Sequence, residues 1–195
     1  LKAALARPEV RVVGIFEPDA ALQQIYASRF NLDRALFFTS LPELLDRTKP
    51  EAVAAFTSTW DHPAVVEAAA ARRVDVMMEK PLAVSLEHAR RIERAAASGG
   101  IDVMVNYETT WYPSHAGMRA LLKDRNAGGA IRKMVALDGH RGPKEIGVGP
   151  EFLGWLTDPV RNGAGALFDF GCYGANLMTW MMENQRPIAE VSERP

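Results

Sequence analysis

Short apolar runs alternate with helical patterns over the first hundred residues of the chain. The apolar runs predict strands at residues 10–16, 35–38, 52–56, 74–78 and 101–107. Apolar residues at helical spacing predict the intervening helices, at about residues 19–29, 41–47, 62–73 and 86–97. Continuous apolar strands are typical of parallel sheets covered on both faces. The order therefore predicts an α/β fold with a doubly wound, Rossmann-type parallel sheet.

Polar residues at the helix ends support these boundaries. Asp19 and Ser85 each precede a helical pattern, where a side-chain oxygen can accept from the first free N–H groups. Ser40 is followed three residues later by Glu43, which is the spacing of a capping box. The pair Gly99-Gly100 is expected to end the last of these helices.

The pattern changes after Tyr107. A helix is predicted at about residues 114–125, and Gly128-Gly129 separates it from a long, partly alternating strand, IRKMVALDGHR (131–141). Such strands are typical of an open, mainly antiparallel sheet. We therefore predict a doubly wound α/β domain at 1–106 and a second α/β domain at 107–195. A Gly- and Pro-rich loop is expected at 140–163.

Composition narrows the class of partner. The chain has 195 residues, 48% of them hydrophobic, with 23 Lys and Arg against 24 Asp and Glu. This balance gives no electrostatic footprint for nucleic acid or an anionic membrane, so a small molecule is the expected partner. No apolar stretch approaches the roughly 20 residues that a membrane span needs. Cys172 is the single cysteine, which fits a soluble cytoplasmic protein, although an N-terminal signal stays open.

An acidic residue follows the first predicted strand. In dinucleotide-binding folds a G-x-G-x-x-G turn precedes such an acid by about 20 residues, and the acid binds the ribose hydroxyls. Glu17 stands at this place, but counting back from it passes Leu1. We therefore expect the first strand and the glycine turn to precede Leu1, so that the Rossmann domain here is N-terminally incomplete and the second domain C-terminally incomplete. The alternative is an ordinary leading helix at 1–6 and a solvated Glu17.

Two motifs then carry a resemblance. VDVMMEKPLAVSLEHARR places Glu79-Lys80-Pro81 at the end of a predicted strand, and GAGALFDFGCYGANLMTW is a Gly-rich turn leading into D-x-G. The two motifs occur in this order, and a helix bearing His62 precedes the first of them. With this arrangement the chain resembles the Gfo/Idh/MocA oxidoreductase family. The resemblance covers nearly the whole chain.

The resemblance implies that residues 1–106 form a Rossmann domain that binds NAD or NADP. It implies that residues 107–195 form a substrate-binding and oligomerisation α/β domain, in a homo-oligomer that is either a dimer or a tetramer. By position it implies that Lys80, Asp169 and Tyr173 are catalytic. Tyr173 stands where many members have histidine. Members similar to glucose-fructose oxidoreductase and the dihydrodiol dehydrogenases have tyrosine there, so the difference indicates that subgroup.

The chemistry of hydride transfer explains these residue types. As a carbonyl forms from an alcohol, the hydroxyl proton must leave, which requires a positioned acid or base beside the cofactor. Lys80 lies at the expected ligand-binding edge of a parallel sheet, and its cation can favour the phenolate of Tyr173. Asp169 lies four residues before Tyr173, so one helix face would carry both. Asp169 as a helix N-cap and Tyr173 as a core residue remain open.

Other residues are candidates by their place in the pattern. Candidate cofactor ligands are Glu17, Thr57, Ser58, His62, Glu79, Lys80 and Pro81. Candidate substrate contacts are Lys80, Trp111, Trp155, Asp169 and Tyr173. Because an acid on the ribose would repel a 2′-phosphate, Glu17 favours NAD over NADP. Structural roles stay open for Glu79, His62 and the tryptophans, and no metal site is predicted.

The predicted function is hydride transfer between NAD(P) and a sugar, cyclitol or related polyol. If the glycine turn lies outside this chain, we expect the chain alone to be inactive. Two alternatives remain: a redox-neutral lyase or hydrolase that uses NAD on the same scaffold, and a non-catalytic protein that binds a nucleotide or sugar. The first assignment requires that folding bring Lys80 and Tyr173 together.

Overall fold

A computed structural model describes residues 1–163 and 165–182. The strands are β1 Ile15–Phe16, β2 Phe37–Phe38, β3 Ala52–Ala55, β4 Asp75–Glu79 and β5 Val103–Asn106. The α-helices are α1 Lys2–Leu5, α2 Ala20–Phe30, α3 Leu41–Thr48, α4 His62–Ala70, α5 Leu86–Gly99, α6 Pro113–Arg119, α7 Pro150–Leu156, α8 Ala166–Asp169 and α9 Gly171–Met181. None of the helices in these residues combines the length and the apolar character needed to cross a bilayer.

The predicted helix caps are present. The Asp19 carboxylate accepts from the N–H of Ala21 at 2.7 Å and begins α2. The Ser40 hydroxyl accepts from the N–H of Glu43 at 3.3 Å and begins α3. The Ser85 hydroxyl accepts from the backbone N–H of the third residue after it at 3.1 Å and begins α5. These three predictions are confirmed.

The strands form two sheets. β1 and β2 pair in parallel, with Ile15 opposite Phe37, and the other sheet has the order β3-β4-β5. α4 connects β3 to β4, and α5 connects β4 to β5, as in a doubly wound fold. The first strand is shorter than the predicted run at 10–16, because only Ile15 and Phe16 pair with β2 in the described residues.

Close packing requires a glycine at the end of α5. The core beside it includes Val66 and Ala69 of α4, which are fully buried, and Ile92 of α5. A Cβ at Gly99 would lie only 2.6 Å from the carbonyl oxygen of Ala70. Any side chain at Gly99 would therefore displace one of the two helices.

The described residues form two compact units. The first comprises Leu1–Ala55, Pro63–Met77 and Arg90–Met104. The second comprises Phe56–His62, Met78–Ala89 and the described residues from Val105 onward. The segments that follow the carboxyl ends of β3, β4 and β5 thus belong to one unit. Ligand sites of parallel sheets occur at the carboxyl ends of the strands. The predicted division at residues 106 and 107 stays a prediction.

The second unit differs from the expected pattern beyond β5. The predicted strand IRKMVALDGHR has no strand assignment, and Leu137 within it is 93% exposed. A strand needs a neighbour for its backbone hydrogen bonds, and the described residues after β5 contain no partner strand. The predicted loop at 140–163 contains the helix α7. Both local predictions were wrong.

Candidate active site

Lys80 follows β4 and points its ammonium at Asp169. Its Nζ donates to the Asp169 carboxylate in a close ion pair and to the Asp169 carbonyl oxygen at 3.0 Å. The two side chains are only 16% and 14% exposed. An ion pair this far from solvent is stronger than one at the surface, so the lysine is held firmly in one position.

Two aromatic rings complete the surroundings of the ammonium. Lys80 Nζ lies 5.0 Å from the ring centroid of Tyr173 and 5.7 Å from that of Phe170. Both distances allow a cation–π attraction. His140 packs edge-on against Phe170, with 4.4 Å between ring centroids. Sequence reasoning missed Phe170 and His140, and no spacing rule connects His140 to this cluster.

The helix geometry behind this cluster differs from the prediction. Asp169 ends α8 and Tyr173 lies in α9, so they do not share a helix. Phe170 stands at the N-cap position of α9, and no side chain caps that helix. The expectation of one shared helix face was therefore wrong, and Asp169 is not the N-cap. Lys80 brings the two residues together instead.

Burial keeps the Tyr173 hydroxyl protonated. Desolvation raises the pKa of the Tyr173 phenol well above its ordinary value, and negative charge at Glu108, Glu79 and Asp169 acts in the same direction. Burial likewise raises the pKa of the Cys172 thiol to about 11, although the Lys80 cation partly opposes it. At neutral pH both groups therefore carry their protons, and Tyr173 is a hydrogen-bond donor.

A buried histidine holds the segment that carries Lys80. His62 begins α4, is 1% exposed, and its Nδ1 lies 3.1 Å from the carbonyl oxygen of Leu82, so that Nδ1–H donates to it. Burial lowers the pKa of His62, which keeps the ring neutral. Because Leu82 is two residues after Lys80 and next to the buried Pro81, this bond ties the lysine's own loop to the start of α4.

Polar groups follow the ends of β3 and β4 in the same unit. The Glu79 carboxylate accepts from Asn106 Nδ2 at 2.8 Å, which fixes its orientation. The Ser58 hydroxyl donates to the Asp61 carboxylate, and the Thr57 hydroxyl donates to the Ser58 carbonyl oxygen at 3.2 Å. The buried hydroxyl of Thr59 has no hydrogen-bond partner among the described residues.

These groups fit a nicotinamide cofactor. A carboxylate has about four acceptor positions, and Asn106 and the Lys80 backbone N–H use two of them, so Glu79 retains acceptors for ribose hydroxyls. An unpaired buried hydroxyl such as Thr59 costs free energy unless water or a ligand bonds to it. Among the described residues, no three His, Cys, Asp or Glu side chains gather as metal ligands would.

Three other predicted site residues are Glu17, Trp111 and Trp155. Glu17 belongs to the first unit, directly after β1, and its carboxylate accepts from the N–H of Asp19 at 2.9 Å. Trp111 is exposed at the end of a short 3₁₀ helix, Glu108–Trp111. Trp155 lies in α7 and packs edge-on against Phe152, with 4.7 Å between ring centroids. The roles assigned to these three stay predictions.

The family follows from a direct comparison. Residues 1–107, more than half of the chain, match the Gfo/Idh/MocA family, described as an oxidoreductase family with an NAD-binding Rossmann fold. The chain belongs to this family. The resemblance drawn from the EKP and D-x-G motifs is thereby confirmed, as are the Rossmann-type α/β fold and the class of cofactor, with the choice between NAD and NADP open.

Individual relatives agree with this assignment. The chain is 29% identical over 171 residues to dTDP-3,4-didehydro-2,6-dideoxy-alpha-D-glucose 3-reductase of Streptomyces antibioticus, covering 88% of this chain and 48% of the relative. It is 26% identical over 192 residues to trans-1,2-dihydrobenzene-1,2-diol dehydrogenase of Sus scrofa, covering 97% of this chain and 54% of that relative. The fold resembles an inositol dehydrogenase homolog from Azotobacter vinelandii, solved with NAD+, at a TM-score of 0.76 and 24% identity, covering 93% and 49%. The chain thus spans about half the length of these proteins.

Proposed function

We propose that this chain carries the catalytic residues of an NAD(P)-dependent dehydrogenase or reductase that acts on a sugar, cyclitol or related polyol. One observation carries the proposal: a single ammonium, on Lys80, contacts both the Asp169 carboxylate and the Tyr173 ring. General-acid catalysis at a carbonyl needs a positioned proton donor, and a fixed positive charge beside it stabilises the conjugate base; this cluster supplies both.

The relatives support the substrate class. Their names specify a hexose, a cyclic diol and an inositol, which share a six-membered ring and oxygen substituents. We therefore extend the proposal to a ring substrate with neighbouring oxygen substituents. A redox-neutral reaction on the same scaffold is separated from this function by the test below.

The protonated Tyr173 can act as the general acid in carbonyl reduction. In carbonyl reduction, hydride adds to the carbonyl carbon, the electron pair of the C=O bond moves to oxygen, and that oxygen takes the phenolic proton of Tyr173. The Lys80 cation then stabilises the phenolate that remains. Asp169 accepts two of the three N–H groups of the ammonium, so the third can donate to the substrate oxygen. In the oxidative direction the same proton returns to Tyr173.

A nicotinamide cofactor would supply or accept the hydride in this reaction. We propose that it is held by groups at the ends of parallel strands, with NAD preferred if Glu17 binds the ribose. Glu79 would accept from a ribose hydroxyl, and His62 would act through the loop that carries Lys80. The proposed contacts are Glu17, Thr57, Ser58, His62, Glu79, Lys80 and Pro81.

The test is turnover with NAD(H) and a panel of ring ketoses, inososes and their alcohols. We expect Lys80→Ala and Tyr173→Phe each to lower kcat by about 10²-fold or more, because both interactions strengthen in the transition state. Lys133→Ala, at an exposed position, and Tyr26→Phe, in the first unit, are matched controls and should change kcat little. Unchanged kcat in both active-site variants would refute the proposal.

Two further outcomes address the alternatives. A redox-neutral enzyme would convert substrate without accumulating reduced nicotinamide, whereas a dehydrogenase accumulates it in proportion to product. A non-catalytic binding protein would show no turnover in the parent.

We also propose a homo-oligomer, a dimer or tetramer, which light scattering after size-exclusion chromatography measures directly.

A further inference from the structure

A cavity of about 150 Å³ lies in the second unit, beside α9. It is lined by Val105, Tyr107, Thr110, Trp111, Asn176 and Trp180. None of these residues belongs to the ammonium cluster of Lys80, Asp169, Phe170 and Tyr173. The cavity is therefore a separate structural feature that needs its own account.

Helical spacing places this cavity next to Tyr173. Tyr173, Asn176 and Trp180 follow one another at intervals of three and four residues along α9, which puts them on one face of the helix. Side chains three residues apart on a helix are neighbours, with about 5–6 Å between their Cβ atoms. A ligand group in the cavity would thus lie about one helical turn from the proton donor.

The polar groups of the cavity are arranged to bind a hydroxyl. Asn176 Nδ2 donates to Thr110 Oγ1 at 2.8 Å, which orients both side chains. After this bond Thr110 still has its hydroxyl hydrogen to donate, and Asn176 still has its carbonyl oxygen to accept. A hydroxyl both donates and accepts, so one hydroxyl of a ligand can satisfy the pair.

Aromatic rings form the rest of the wall. Trp111 is 68% exposed, which is unusual for a residue whose burial would be strongly favourable. Trp180 is backed by Arg119, whose guanidinium carbon lies 5.3 Å from the ring centroid. An aromatic surface beside a few oriented polar groups is the usual composition of a small-molecule site.

We propose that this cavity is a subsite for the ring of the substrate, with Trp111 against the ring face and Asn176 and Thr110 bonded to a hydroxyl remote from the reacting carbon. The inference rests on the proposed function and deepens it. A volume of about 150 Å³ is enough for one six-membered ring. Because Trp111 offers a flat surface to a rigid ring face, and an open chain would lose more conformational freedom on binding there, we expect the subsite to prefer cyclic over open-chain polyols.

The test measures binding, not turnover. Purified protein is titrated by saturation-transfer NMR with myo-inositol and methyl α-D-glucopyranoside as ring probes, and with D-glucitol as an open-chain polyol. We expect a ring probe to bind more tightly than D-glucitol. Trp111→Ala and Asn176→Leu should each weaken ring binding about tenfold, whereas Trp111→Phe should retain most of it.

Trp60→Ala is the matched control. Trp60 is another partly exposed tryptophan of the same unit, and it packs on His88 with 4.7 Å between ring centroids. Thermal melts establish that every variant folds. The proposal is overturned if neither ring probe binds, if D-glucitol binds equally well, or if Trp111→Ala behaves like Trp60→Ala. Loss of ring binding in Trp111→Ala, together with unchanged kcat in both Lys80→Ala and Tyr173→Phe, would refute the proposed function and leave the subsite standing.

Discussion

The ion pair between Lys80 and Asp169 can be tested without any substrate. Lys80→Met removes the charge at similar side-chain length, and Asp169→Asn removes the opposite charge at the same size. Urea unfolding of the parent, both single variants and the double variant gives the coupling free energy of the pair. The cycle isolates this contact from the burial of the two side chains.

The structure sets the expected magnitude. Exposed ion pairs contribute about 0.2–1 kcal/mol, whereas removing one partner of a buried pair costs about 3–5 kcal/mol. Side chains that are 16% and 14% exposed lie close to the buried limit. The Asp169 carbonyl oxygen, however, still accepts from Lys80 when the carboxylate is changed, at 3.0 Å. We therefore expect a coupling of about 2 kcal/mol.

A matched pair sharpens the measurement. Arg47 and Glu43 form an i, i+4 pair on α3, with side chains 67% and 50% exposed, and their coupling should be clearly smaller. Lys80→Met should destabilise more than Asp169→Asn, because it leaves a carboxylate without its cation. A coupling at Lys80–Asp169 no larger than that at Arg47–Glu43 would refute the conclusion that this ammonium is firmly held.

Three further predictions concern titratable groups. The folded state raises the pKa of Tyr173 above its ordinary value of 10, so the protonated phenol stabilises the fold below pH 10 and this stabilisation is lost as the pH rises further. The midpoint of urea unfolding should therefore decline less at alkaline pH in Tyr173→Phe than in the parent. With a thiol pKa of about 11, Cys172 should be alkylated by iodoacetamide about a hundredfold more slowly at pH 8 than in the unfolded chain, as mass spectrometry would show; equal rates would contradict the burial. Because burial lowers the pKa of His62, stability should fall as pH drops below the ordinary value of 6.5. His62→Asn keeps a donor for the Leu82 carbonyl oxygen and should remove this acid sensitivity. His62→Leu loses that hydrogen bond and should cost about 1–3 kcal/mol more stability. Equal unfolding midpoints for these two variants would count against the bond.

Local chemistry explains which parts of the fold could be predicted. The caps at Asp19 and Ser40 were predictable because the donor and acceptor lie within three residues of each other. The strand expected at 131–141 depended on a partner elsewhere, and no local pattern specifies whether a partner is present. Alternation alone therefore predicted a strand where the described residues contain none.

The residues of the candidate site also divide into those that the sequence predicted and those that it did not. The two sequence motifs singled out Lys80, Asp169 and Tyr173, and the structure brings these three together. The contact of His140 with Phe170 joins residues thirty positions apart that lie in different elements, so neither helical nor strand periodicity relates them. The four-residue spacing of Asp169 and Tyr173 was misleading, because Gly171 is a poor helix former and a new helix begins there.

Lys80 is immobilised before any substrate arrives. A free lysine side chain has about 2 kcal/mol of rotamer entropy to lose, and here the contacts with Asp169 and Tyr173 remove that freedom during folding. A carbonyl oxygen that meets the third N–H therefore gains a hydrogen bond with little further ordering of the protein. The same anchoring opposes use of the amine as a nucleophile, so an added aldehyde should form an imine more slowly at Lys80 than at the exposed Lys133.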